Sequence, residues 1–306
     1  MEKVVQSSEN KSRPAPLPFV RALKSFTGYL EGTGKSVHTI ESYVSDLKTF
    51  ETFIKEGLGS KDSDLSRLSK FDLDQYHLWL TAMRFRTNTR RRKVLTVRRF
   101  LRFLTGRKKF HIDVSKQIAA PYKVERIPET FEVEAFRKKV LTLPHQDILD
   151  IRNRVLLLTL LETGCLVSEA VRLRYDSFEN VGDGFFLQIL GKFERRIEIP
   201  MLLYQEVQKL RKVSPRDAAY LFLGFNKFGP LSLYMSDRAA ELLIKSYRGH
   251  FGDRKLTPRK IRHSIVLFWL KEGRAQAEVK AHLGLKSDYA FKVYAPLLKS
   301  TVNTGE

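Results

Sequence analysis

One cysteine in 306 residues, Cys165, excludes internal disulfides and multi-cysteine zinc sites. Its small and apolar neighbours, Gly164, Leu166 and Val167, point to a packed thiol rather than a nucleophile. Long apolar runs are also missing, and none approaches the roughly 20 residues that a bilayer-spanning helix requires. Met1 to Pro18 lack the apolar stretch of a signal peptide and read as a disordered lead-in, so the expected location is the cytoplasm. Acidic residues are scarce: 34 Asp and Glu stand against 55 Lys and Arg, a formal net charge of +21. Solubility needs only a few charges of either sign, so the excess points to a polyanionic partner. Nucleic acid fits best, with an anionic membrane surface as the rival.

What is present reads as two helical regions. After Pro18, the spacing of Phe19, Leu23, Phe26 and Leu30 predicts a helix that stops at Gly32 and Gly34. Ser36 reads as the N-cap of a second helix, with Ile40, Tyr43, Val44, Leu47, Phe50 and Ile54 on its apolar face. A third helix carries Leu73, Tyr76, Trp79, Leu80 and Met83, with Asp72 as its expected cap. A fourth opens at Thr87 or Thr89 and turns Val94, Val97, Phe100, Leu101 and Leu104 inward. Together these predict a four-helix unit over residues 18–110. Residues 111–130, with Pro121 and Pro128, read as a linker.

The fourth helix is strongly basic. Arg90, Arg91, Arg92, Lys93, Arg98, Arg99 and Arg102 are placed on its non-core face, flanked by Arg84, Arg86, Arg107, Lys108 and Lys109. No acidic residue lies between Arg84 and Lys109, whereas a merely solvated helix mixes signs to gain i,i+4 pairs. Like charges this dense call for phosphates to neutralise them, which makes this face the expected DNA contact.

Helical patterning resumes over Phe131–Leu141, Asp147–Glu162 and Ser168–Arg174. Phe185 to Leu190 and Arg196 to Ile199 then predict a β-hairpin whose turn holds Gly191 and Lys192. The chain from Leu202 onward reads as mostly helical.

Several segments carry a family likeness. FTGYLEGTGKSVHTIESYVSDLKTFETFI (Phe26 to Ile54) and RIPETFEVEAF (Arg126 to Phe136) resemble, in order and spacing, the core-binding domain and the catalytic-domain entry of tyrosine recombinases of the Xer and phage integrase kind. The resemblance runs from about residue 19 to 296. It implies a mainly α fold: an N-terminal SAM-like core-binding bundle, then a mostly helical catalytic domain (131–306) with a small β-hairpin. It also implies site-specific recombination of double-stranded DNA through a 3′-phosphotyrosine, without metal or nucleotide cofactor, by a protein found at the nucleoid.

The family's chemistry implies roles for particular residues. Tyr294, ten residues after Gly284, matches the nucleophile, and Tyr289 is the competing tyrosine with poorer spacing. Lys192 matches the general-acid lysine. In TPRKIRHSIVLFWLKEG, Arg262 matches the second catalytic arginine, and His263 follows it as an aid to proton transfer. Three positions depart. Leu166 stands where Thr-Gly-Leu-Arg-x-Ser-Glu has its arginine, Arg259 replaces the first histidine of His-x-x-Arg-His, and Leu285 replaces the His or Trp after Leu-Gly. Arg172 and Arg174 lie roughly two turns further along the following helix, a long reach even for an arginine, so Arg259 is the better candidate for a relocated clamp.

The expected function is therefore DNA binding with impaired cleavage, a pseudo-recombinase that self-associates or partners an active recombinase on DNA. The alternative is a working recombinase with altered or partner-supplied groups. A basic RNA- or membrane-surface protein of the same fold is the third reading.

Overall fold

The computed structural model describes residues 15–60, 62–107, 119–191 and 193–299, with the side chain of Lys299 excepted. The expected lead-in falls on residues 1–14 outside this set for most of its length. Lys108, Lys109, Lys192 and residues 110–118 of the linker region also lie outside it. The chain divides into two compact units, Met1–Glu125 and Arg126–Glu306.

In the first unit, α1 (Phe19–Gly32), α2 (Val37–Thr52), α3 (Lys70–Ala82) and α4 (Thr87–Gly106) surround an aromatic core of Phe19, Phe26, Phe50, Tyr76 and Phe100. Ser36 caps α2 by accepting a bond from the Thr39 N–H. α2 ends in a π turn, Phe53–Gly57, and a 3₁₀ turn, Leu65–Arg67, leads toward α3. The cap of α3 is Ser69 rather than Asp72. The two form a reciprocal box in which Ser69 accepts from the Asp72 N–H and the Asp72 carboxylate accepts from the Ser69 N–H. Met83, expected inward, is exposed at the end of that helix.

One member of the expected basic row on α4 points the other way. Lys93 is only 5% exposed, and its Nζ donates to Asp46 Oδ1 of α2 at 3.0 Å and to the Thr49 hydroxyl at 2.7 Å. A buried ammonium is tolerable only when paired and hydrogen-bonded, and Asp46 supplies both. The acid that α4 lacks in sequence is thus provided by its neighbour, and Lys93 is removed from the outward-facing set. Arg92 and Arg102 are exposed, whereas Arg90, Arg91, Arg98 and Arg99 are half-buried.

The second unit is built around α6 (Ile148–Thr163), which is buried on nearly every side from Val155 to Thr163. A helix this apolar all round must be covered by other elements. α5 (Val133–Leu141) and α8 (Met201–Val213) both pack on it, as does α11 (Pro258–Lys271). Its inward Arg154 is neutralised by Glu206 of α8 at 3.0 Å.

A three-stranded antiparallel sheet follows the short α7 (Val167–Ala170). β2 (Gly184–Ile189) lies between β1 (Phe178–Val181) and β3 (Arg195–Glu198), with Leu187 opposite Ile197. The expected hairpin is β2–β3, and β1 is an additional strand on its edge. A second hairpin, β4 (Leu223–Asn226) with β5 (Gly229–Tyr234), interrupts the stretch read as helical. α9 (Asp237–Ser246), α10 (Arg248–Phe251), α12 (Gln276–His282), a 3₁₀ segment over Asp288–Tyr294 and α13 (Ala295–Lys299) complete the unit. No helix among the described residues is long and apolar enough to cross a membrane.

Candidate active site

The site gathers where the C-terminus of α6, the start of α7 and one face of α11 meet the segment that runs from α12 to Tyr294. α6 is stopped by Gly164, whose φ of 57° lies in the left-handed region. A Cβ built there would stand 3.0 Å from Leu283 Cδ2 and 3.3 Å from Ile265 Cγ2. Gly164→Ala is therefore expected to lower stability by about 1–2 kcal/mol, from the left-handed backbone alone. Chemical denaturation with an unchanged m-value would measure it. The adjacent Cys165 is buried, and burial pushes its thiol up to about 11, which fits packing and not nucleophilic work.

Arg262 reaches across from α11 to this stop. One guanidinium nitrogen donates to the Gly164 carbonyl and the other donates to the Leu283 carbonyl at 3.4 Å. Burial pulls its pKa down and the Glu169 carboxylate pulls it back up, but a guanidinium stays charged at neutral pH. Two backbone carbonyls thus aim a cation at the loop between α6 and α7.

His263 and Tyr294 are in direct contact. His263 Nδ1 lies 2.6 Å from the Tyr294 hydroxyl, and the two rings meet edge to face with centroids 5.6 Å apart. On the other side of the imidazole, Arg259 Nε donates to His263 Nε2 at 3.2 Å. Burial, then the charges of Arg259 and Arg262, lower the imidazole to about 4, so it is neutral at pH 7. Tyr294 is only 5% exposed, and burial pushes its phenol up to about 12 against the pull of Arg262 and Arg259. Tyr289, on the same 3₁₀ segment, is 50% exposed and has Lys292 beside its ring at 5.3 Å. Of the two tyrosines, Tyr294 is the one that meets His263.

The three departing positions are each placed. Leu166, 45% exposed, precedes α7, with its N–H donated to Glu169 Oε2 at 2.8 Å. Leu285 is half-buried against the apolar core of this unit. Arg259 is exposed and bridges to His263 as described. Lys192, at the turn between β2 and β3, lies outside the described residues.

A pair with no counterpart in the sequence motifs underlies the loop. Arg195 of β3 donates both terminal nitrogens to the Glu169 carboxylate, at 2.8 and 3.0 Å, and its Nε to the His282 carbonyl at 2.7 Å. Burial would raise the Glu169 carboxyl, but the Arg195 and Leu166 hydrogen bonds hold it below the usual range. Glu169 ends the departing Thr-Gly motif, which was the one signal for it. Nothing in the sequence ties it to Arg195, 26 residues on.

These side chains offer a phenolic hydroxyl, a neutral imidazole on it and two arginine cations beside them. Such a set suits attack on a phosphodiester, whose transition state gains negative charge. Among the described residues, no three or more His, Cys, Asp or Glu side chains cluster to hold a metal ion.

Comparison with known proteins agrees in family. The family model described as "Phage integrase, N-terminal SAM-like domain" matches residues 23–108, and that described as "Phage integrase family" matches residues 131–300. The chain is 27% identical over 285 residues to a protein named tyrosine recombinase XerC from Herpetosiphon aurantiacus, covering 89% of each chain. It is 26% identical over 289 residues to tyrosine recombinase XerA from Pyrococcus furiosus, covering 92% of each. Among solved structures, it resembles the XerH site-specific recombinase bound to its difH substrate in a pre-cleavage complex. There the TM-score is 0.68 at 15% identity, over 97% of this chain and 91% of that one. It also resembles a lambda integrase tetramer bound to a Holliday junction, with a TM-score of 0.67 at 15% identity over 95% and 81%.

Proposed function

Because the chain belongs to the phage integrase family of tyrosine recombinases, we propose that it binds double-stranded DNA and that its strand cleavage is impaired. Its solved relatives were captured on substrate DNA and, for lambda integrase, as a tetramer on a junction. By that likeness this chain acts on DNA and self-associates there, or joins an active recombinase.

The observation that carries the impaired reading is Leu166. Half-exposed at the start of α7, it puts a hydrocarbon where the family pattern has a guanidinium. The arginines that follow it in the chain have partners of their own. Arg195 is bound on both terminal nitrogens to Glu169. Arg172 bonds the Ser168 carbonyl and Asp237, and Arg174 bonds Asp176. Removing one donor from a charge-stabilising site typically costs about 10²–10³ in rate, and Leu285 removes a second.

In the reaction itself, Tyr294 Oη forms a bond to phosphorus as the bond from phosphorus to the 5′-oxygen breaks. The phenol loses one proton and the departing 5′-oxygen gains one, with Lys192 as its donor. Arg262 balances charge on the non-bridging oxygens.

The alternative, a working recombinase, is favoured by the contact between His263 and Tyr294. A nicked suicide substrate carrying the protein's own site separates the two. The wild-type protein is expected to trap covalent adduct at least about 10²-fold more slowly than a relative that keeps the arginine, assayed on that relative's site. Tyr294→Phe is expected to bind DNA as wild type and to give no adduct. An adduct at the relative's rate would overturn the impaired reading, and an adduct surviving in Tyr294→Phe would move the nucleophile to Tyr289.

A further inference from the structure

Resting on Tyr294 as the nucleophile, we infer that Arg259 locks His263 in its Nδ1–H form, so the imidazole serves Tyr294 as a hydrogen-bond donor and not as its base. A guanidinium carries N–H groups only and cannot be deprotonated in a protein. Arg259 Nε is 3.2 Å from His263 Nε2, so that ring nitrogen must present its lone pair. A neutral imidazole has one such lone pair, and the remaining nitrogen, Nδ1, therefore carries the proton. Nδ1 faces Tyr294 Oη at 2.6 Å, and the phenol oxygen accepts.

Protonating the ring a second time would set an N–H on Nε2 against the Arg259 N–H. It would also add charge beside Arg259 and Arg262, the two cations facing it from α11. From the adjoining 3₁₀ segment the ring meets the Tyr294 phenol, which burial keeps uncharged at neutral pH.

The substitution at position 259 therefore does more than remove a histidine. An imidazole at 259 could donate or accept, which would leave His263 free to take either form. An arginine there leaves one form only. Arg259 is in this sense a positioning residue that acts through His263.

The chemical consequence is directional. A hydrogen bond donated to the phenol oxygen strengthens as that oxygen becomes negative, so it favours the attacking state. His263 cannot also receive the phenol proton at Nδ1, because that site is filled. The proton passes instead to solvent water as the bond to phosphorus forms, and the 5′-oxygen takes its proton separately.

Two-bond ¹⁵N–¹H correlation spectra of the full-length protein, with its histidines labelled, test the assignment. His263 is identified by the signal missing in His263→Gln. Wild type is expected to show Nδ1 protonated and Nε2 bare at neutral pH. Arg259 is exposed, so Arg259→Leu should melt as wild type and lose the Nδ1–H preference in favour of Nε2–H. An Nε2–H ring in the wild type would overturn the inference, as would an Nδ1–H ring unchanged by Arg259→Leu. The readout needs no DNA. A protein that never forms adduct yet shows the expected ring leaves this inference standing, and one that forms adduct with the opposite ring refutes it alone.

Discussion

Alanine at Arg92, Arg99 and Arg102 together is expected to weaken binding to duplex DNA on the order of 10²-fold at low salt, about equally for every sequence. Each arginine–phosphate hydrogen bond is worth at least about 1 kcal/mol, and three of them reach that scale. The second expected sign is a flatter plot of log affinity against log salt, by about one unit of slope for each arginine removed. α4 is the element at stake. Arg92 and Arg102 are exposed on it, and Arg99 lies over the Tyr43 ring at 5.3 Å while donating to the Tyr43 hydroxyl at 2.8 Å. That interaction holds the Arg99 side chain in place without neutralising its charge.

The triple variant leaves Lys93 untouched. Removing Lys93 would take from the buried Asp46 the cation that is buried with it and would destabilise the unit whether or not DNA binds there. Arg92 also touches Asp46, at 2.7 Å, but its loss leaves the Lys93 pair intact. The triple variant should therefore melt as wild type. An unchanged salt slope in a folded variant would take α4 out of the interface, and a loss confined to one DNA sequence would make these base contacts rather than phosphate contacts.

The case of Lys93 marks where the sequence stopped being legible. A helical wheel assigns a face from spacing alone, and Lys93 sits beside Val94 and three residues before Thr96, both buried. Only the approach of α2, which brings Asp46, makes that inward position tolerable for an ammonium. The helices themselves were readable because their apolar faces repeat over several turns, as Phe19, Phe26 and Leu30 do in α1. The cap of α3 lies three residues before the expected one because Ser69 and Asp72 cap one another and either could head the box.

The hairpin of β4 and β5 is hidden in the sequence for a different reason. Its alternation is broken by Gly224, Asn226 and Pro230, and Leu231 and Leu233 remain exposed. There is little half-buried pattern for a period-two reading to find.

In the candidate site, Arg262, His263 and Tyr294 were legible because their motifs are local and ordered. The bonds from Arg259 to His263 and from Glu169 to Arg195 were not. The first depends on which nitrogen of an i,i+4 neighbour faces outward, and the second on β3 folding back over the start of α7.

Restoring the departing groups should reveal whether anything else is missing. Leu166→Arg with Arg259→His and Leu285→His is expected to raise covalent adduct on a suicide substrate by at least about 10²-fold, the scale of one recovered transition-state interaction. Leu166 is 45% exposed, so a guanidinium there meets solvent and not the core that holds Cys165. Its difficulty is charge: it joins Arg262 and Arg195 around a single carboxylate, Glu169, already bound by Arg195. Without a phosphate, like charges at that loop should lower the melting temperature. With DNA bound, the loss should be recovered, because a ligand that binds only the folded state stabilises it. Leu285→His carries a separate cost, since the leucine is half-buried against the core and gives up part of its apolar packing. Arg259→His also frees the His263 ring to change form, so adduct formation in the triple variant should follow a different pH profile from that of Leu166→Arg with Leu285→His. Thermal melts with and without DNA, run beside the cleavage assay, separate these effects. A triple variant that folds, binds DNA as wild type and still forms no adduct would show that Leu166, Arg259 and Leu285 are not the missing members of the catalytic set, or that a further defect lies outside these motifs.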